Sequence, residues 1–170
     1  MVRVWDFWVR AGHWLLVASI AAAWLTRFDG GTWHEWLGYS ALAVVALRIA
    51  WGFFGSKHAR FVDFVLSPSS VLRYAQDLTT RHERHYVGHN PLGGYMVIAL
   101  LFVVSLTAAS GWLYTTDRYW GVEWVGETHK VLANVLWVLI ALHIAGVIYA
   151  SVRAGQNLVG AMIHGRKRLR

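Results

Sequence analysis

His129 and His143 lie fourteen residues apart in one apolar stretch, in the settings Glu127-Thr128-His129-Lys130 and Ala141-Leu142-His143-Ile144. A neutral imidazole is a good metal ligand and an expensive group to place in lipid. In an α-helix, fourteen residues rise about 21 Å and complete almost four turns, so the two rings leave nearly the same face at two depths. A helix of that kind can offer ligands to two metal-centred cofactors stacked across a membrane.

Two further histidines fall in or at the ends of apolar stretches, His13 in Gly12-His13-Trp14 and His34 in His34-Glu35-Trp36. Taken by depth, the four sort into two couples, His13 with His143 towards one face and His34 with His129 towards the other. Facing imidazoles suit bis-histidine ligation of two b-type haems. Taken singly, each could instead be a structural histidine bonded across helices. Gly38 and Ala133 follow His34 and His129 by four residues, Gly146 follows His143 by three, and Gly12 adjoins His13. Such small residues leave room for a flat macrocycle, although they also serve plain helix packing in lipid. Arg48 is fourteen residues after His34, hence near the level of the His13–His143 couple, where a guanidinium could neutralise a haem propionate or reach for lipid headgroups. Lys130 stands in the same relation to the His34–His129 couple.

The elements that must carry these residues are long and apolar. The 170 residues are 56% hydrophobic, include 11 Trp and are only 15% charged, against about a quarter in ordinary soluble domains. Four blocks, about 7–26, 33–54, 92–114 and 128–152, are each long enough to cross a bilayer. In lipid they must be helical, because an open sheet would leave backbone groups unpaired. The expected fold is therefore all-α, an integral membrane four-helix bundle forming a single domain. Arg3, Arg10 and Ala21-Ala22-Ala23 also have the outline of a signal peptide, but the polar His13-Trp14 pair is out of place in a leader.

The net charge of +7 is not spread evenly. Lys57, Arg60, Arg73, Arg81 and Arg84 occupy the loop between the second and third blocks, and Arg3, Arg10, Arg153, Arg166, Lys167, Arg168 and Arg170 flank the termini. The other two loops carry Arg27, Arg118 and Lys130 against Asp29, Glu35, Asp117, Glu123 and Glu127. This bias puts both termini in the cytoplasm and accounts for the charge without nucleic acid. In the cytoplasmic loop 55–91, the run from Ser67-Pro68 predicts a short interfacial helix over about 69–79. His58, His82, His85 and His164 read as solvated. In Gly88-His89-Asn90-Pro91-Leu92-Gly93, Asn90 suits an N-cap and Pro91 a first helical turn, while His89 could mark an access point for a quinone head group. Cysteine is absent, which excludes iron–sulfur clusters, thiolate metal sites and covalently attached haem.

These stretches, with Arg48-Ile49-Ala50-Trp51-Gly52-Phe53-Phe54-Gly55, resemble the bacterial cytochrome b561 family and the related cytochrome b subunits of nickel–iron hydrogenases and formate dehydrogenases. The resemblance touches all four blocks. It implies two haems b, ligands from the first, second and fourth spans, and electron exchange with a membrane quinone. It also implies a quinone contact where the third span begins, for which Asn90 and Gly93 are the nearest equivalents. The expected protein is a di-haem electron carrier of the bacterial inner membrane, working between quinone and a periplasmic c-type cytochrome, another redox protein or a small oxidant. Some members of that family are superoxide oxidases, and no motif here assigns that substrate. The rival readings are a haem-bearing anchor subunit of a larger dehydrogenase and a non-redox, histidine-rich metal-binding membrane protein.

Overall fold

A computed structural model describes residues 1–28, 31–80 and 86–167. Asp29, Arg81, His82, Arg84, His85, Arg168 and Arg170 lie outside the described residues. The fold is all-α, with seven helices and one two-residue strand pair among those described. Four helices are long and apolar enough to cross a membrane: α1 (Phe7–Leu25), α2 (Thr32–Phe54), α5 (Pro91–Tyr114) and α6 (Glu123–Ala154). The shorter ones are α3 (Phe61–Phe64), α4 (Pro68–Thr80) and α7 (Leu158–His164). Large apolar side chains such as Phe102, Val138, Leu142 and Ile148 stand exposed on the long helices, a surface that lipid covers and water would not tolerate. With 32 residues, α6 is about 48 Å long and outruns a hydrocarbon core of about 30 Å.

The chain divides into two compact units, and α1, α2, α5 and α6 each give a segment to both. One unit comprises Ala11–Ile49 and Ala99–Ile140. Within it, Ser19 Oγ of α1 meets Ser40 Oγ of α2 at 3.1 Å, and Tyr39 Oη of α2 meets Thr115 Oγ1 just past α5 at 3.2 Å. Trp24 of α1 packs edge-on to Trp137 of α6 with ring centres 5.0 Å apart. Ala41, Val44, Val45, Leu101, Val104, Val125 and Leu136 are its buried apolar residues.

The other unit comprises Met1–Arg10, Ala50–Ile98 and Ala141–Arg170. Its chain ends are tied together. Strand β1 (Val2–Arg3) pairs antiparallel with β2 (Arg166–Lys167), Val2 opposite Lys167. The turn into β2 uses Gly165 at φ 79°, a left-handed conformation that L side chains resist. Its carbonyl accepts from Val4 N at 2.9 Å and Trp5 N at 3.2 Å. Asp6 is the hub beside it. One carboxylate oxygen caps α1 through Val9 N at 2.9 Å, while the other accepts from Trp51 Nε1 at 3.0 Å and Ser56 Oγ at 2.5 Å. Burial pushes the Asp6 carboxyl up, but the bonds from Ser56, Val9 and Trp51 outweigh it and hold it below its ordinary value. Val4, Trp5, Val9, Ala59 and Ala161 form the core, with Trp51 and Met162 against it.

Candidate functional site

The structure brings His34 and His129 together. His34 lies in the first turn of α2 and His129 in the second turn of α6, with ring centroids 6.0 Å apart and planes at 84°. Each ring is tied through the same atom. His34 Nδ1 donates to the Ala23 carbonyl of α1 at 2.8 Å, and His129 Nδ1 donates to the Thr107 carbonyl of α5 at 2.9 Å. A carbonyl can only accept, so the proton sits on Nδ1 and Nε2 keeps the ligating lone pair. Metal-bound imidazoles are characteristically held this way, since the bond to Nδ1 fixes the ring and raises its basicity.

The separation suits one metal ion between two rings. A metal–nitrogen bond of about 2 Å on either side, plus the reach from nitrogen to ring centre, gives a centroid spacing of about 6 Å. The donor set has the same implication. Among the described residues, no group of three or more His, Cys, Asp or Glu side chains could hold a bare ion. A haem brings ring nitrogens of its own and needs only two further ligands from the protein, a donor set that the His34–His129 pair would fit. There is also room beside it. A Cβ at Gly38, one turn after His34, would meet nothing within 4 Å.

The other predicted residues fall as follows. His13 is half-buried on α1, its ring edge-on to Trp14 at 5.3 Å, and Arg48 is half-buried on α2. Both lie in the segment Ala11–Ile49, whereas His143, half-buried on α6, belongs to the unit containing both chain ends. Lys130 Nζ is paired with Glu127 Oε1 at 2.7 Å on an exposed face.

Asn90 caps α5, its Oδ1 accepting from Gly93 N at 2.7 Å. A Cβ at Gly93 would crowd that oxygen at 3.1 Å, so the glycine and the cap belong together. Next to them, His89 lies between Trp5 and Phe64, with ring centres at 4.6 and 4.7 Å. A pocket of about 180 Å³ opens there, lined by Lys57, His58, Asp63, Tyr86 and His89 among others. Burial and the nearby Lys57 charge push His58 below its ordinary pKa. Lys167 donates to the Gly88 carbonyl at 3.0 Å, and burial draws its ammonium down from 10.5 to about 8.

Sequence reasoning missed Ala23, Thr107, Ser110 and Gly111, which hold the two facing rings. Ser110 Oγ stands 3.3 Å from His129 Nδ1, and a Cβ at Gly111 would stand 3.0 Å from His129 Cε1. Two of these contacts are made by main-chain carbonyls, which leave no mark on residue type. Only Ser110-Gly111, a small polar pair inside an apolar helix, carried a visible signal.

No curated protein and no solved structure gives a significant match to the chain. A family model described as prokaryotic cytochrome b561 matches residues 4–165, a stretch that includes all four long helices and the facing histidines. The chain therefore belongs to the prokaryotic cytochrome b561 family.

Proposed function

We propose that the chain, as one cytochrome domain over residues 1–170, carries two haems b and passes electrons between the quinone pool and a redox partner across the bacterial inner membrane. Its family makes it a membrane electron carrier on haem b. The finer reading rests on one observation: His34 and His129 face each other at 6.0 Å, each with Nδ1 committed to a carbonyl. These two would hold the outer haem, and His13 with His143 the inner one. Bound there, haem b supplies reversible one-electron storage. The chain's own residues would ligate the group and set the charge around it. The carbonyls of Ala23 and Thr107 make the imidazoles better donors, which would favour the oxidised state of a haem held there. Arg48 is the proposed propionate partner of the inner haem, and Lys130 that of the outer one.

Both termini would face the cytoplasm. The pairing of Val2 with Lys167 supports a common side for them, and the surplus of Lys and Arg near them names that side. Helix α4 would then lie on the inner surface, where exposed Leu72 meets lipid. The quinone is proposed to exchange near Asn90 and Gly93, beside the pocket lined by His58 and His89. The stretch 117–126, a loop running into the first turn of α6, would face the periplasm and carries Asp117 and Glu123 against Arg118, a balance that mildly favours a basic c-type cytochrome over an anion such as superoxide.

Haem content of the purified chain tests the proposal. Two haems b per chain, reducible by a quinol, are expected. One haem, or a colourless protein with bound metal, would overturn it.

A further inference from the structure

We infer that the Thr107–Gly111 turn of α5 positions His129, fixing the plane of its imidazole and thereby the electronic state of the haem it would share with His34. The inference rests on that ligand pair. Helix α5 carries no histidine, yet it meets the His129 ring at three points within five residues. The Thr107 carbonyl accepts from Nδ1 at 2.9 Å. Ser110 Oγ lies 3.3 Å from the same nitrogen and sends its own proton to the Thr107 carbonyl at 2.9 Å, so lone pairs are what it presents to the imidazole. Gly111 lies against the ring, where an added Cβ would stand 3.0 Å from Cε1 and 3.2 Å from Nδ1. Positions 107, 110 and 111 share one helix face, so a single turn delivers all three contacts.

Two acceptors on one nitrogen and a close wall beside the ring restrict rotation about the bond from Cβ to the imidazole. His34 is fixed independently, through Ala23 of α1. The 84° between the two planes is thus set by two separate helices and not by the group between them. If the two rings ligate one iron, imidazoles crossed in this way would donate into different iron d orbitals and leave them nearly equal in energy. Low-spin ferric iron in that field shows one large g value at low magnetic field, whereas parallel planes split the orbitals and give a rhombic spectrum. The second acceptor on Nδ1 also strengthens donation from Nε2 and lowers the reduction potential.

The test uses the full chain, purified with its haems, and compares Gly111→Ala, Ser110→Ala, Ser110→Thr and Ser105→Ala. Ser105 is on the same helix but bonds the Leu101 carbonyl. The readouts are the ferric EPR spectrum and an equilibrium redox titration. Gly111→Ala is expected to move the low-field signal of one haem towards a rhombic spectrum. Ser110→Ala should raise that haem's midpoint potential, Ser110→Thr should restore it, and Ser105→Ala should change neither readout. If Gly111→Ala fails to fold, the Ser110 variants decide alone. Unchanged spectra and potentials in both Gly111→Ala and Ser110→Ala, with both haems bound, would overturn the positioning role and leave the ligand pair standing. Retention of both haems in His129→Ala would instead remove the ligand pair, and the inference with it.

Discussion

His34 Nδ1 sits 2.8 Å from the carbonyl oxygen of Ala23, so a residue of α1 decides which nitrogen of a residue of α2 is free to bind a metal. His129 is held in the same way by Thr107. If the two imidazoles share one iron, His34→Ala and His129→Ala are expected to remove the same haem, halving the reduced-minus-oxidised absorbance and leaving the same residual spectrum. His13→Ala and His143→Ala should leave the complementary one. Residual spectra that pair His13 with His34 would break this assignment.

The Asp6 hub predicts an acid-sensitive α1 start. The folded carboxyl titrates below its ordinary 3.8, because hydrogen bonds from Ser56, Val9, Trp51 and Trp8 outweigh the effect of burial. Its contribution is complete above pH 3.8 and is lost as pH falls through the lower, folded value. Asp6→Ala removes a helix cap together with the partners of Trp51 and Ser56, and should cost about 1–2 kcal/mol at neutral pH. Thermal melts should show that cost shrinking below pH 3.8, and a cost independent of pH would rule out the charged carboxylate as its source.

Lys167 should give a slope of the same sign, in an alkaline window. Burial lowers its ammonium to about 8, so between about 8 and 10.5 the unfolded chain keeps a proton that the folded chain has released. Stability therefore rises with pH through that window as the cost of a buried charge is relieved. Lys167→Met keeps an unbranched stem and removes the ammonium, which lies 5.3 Å over the Trp5 ring. Its melting temperature should vary less than wild type between pH 8 and 10.5, and equal slopes would refute the assignment.

Asn90 has two expected roles that separate experimentally. As the cap of α5 it should cost about 1 kcal/mol when replaced by Ala. As a quinone contact, the same replacement should slow haem reduction by quinol several-fold with both haems bound. A stability loss with unchanged reduction kinetics would leave Asn90 as a cap only.

The four long helices were legible because hydropathy is written residue by residue, and Asn90-Pro91 marked the start of α5 because cap chemistry is local. Helix α6 starts at Glu123, five residues before its apolar block, where Trp124 and polar neighbours mask the helix from a hydropathy reading. Helix α7 escaped notice inside a basic tail, although Asn157 as its N-cap and Gly165 as its C-cap were both visible. Strands β1 and β2 could not be read at all, since two residues carry no period. At the facing histidines, residue type and spacing pointed to the imidazoles. Their crossed planes and the α5 turn behind His129 are long-range facts that spacing does not encode.

The β1–β2 clasp has a consequence for how the molecule is made. Val2 leaves the ribosome before its partner Lys167, which emerges about 165 residues later, some 10–30 s at ordinary translation speeds. Throughout that interval the Asp6 hub lacks its neighbouring clasp, so β1 stays unpaired while all four long apolar helices are made, and the clasp can close only after them.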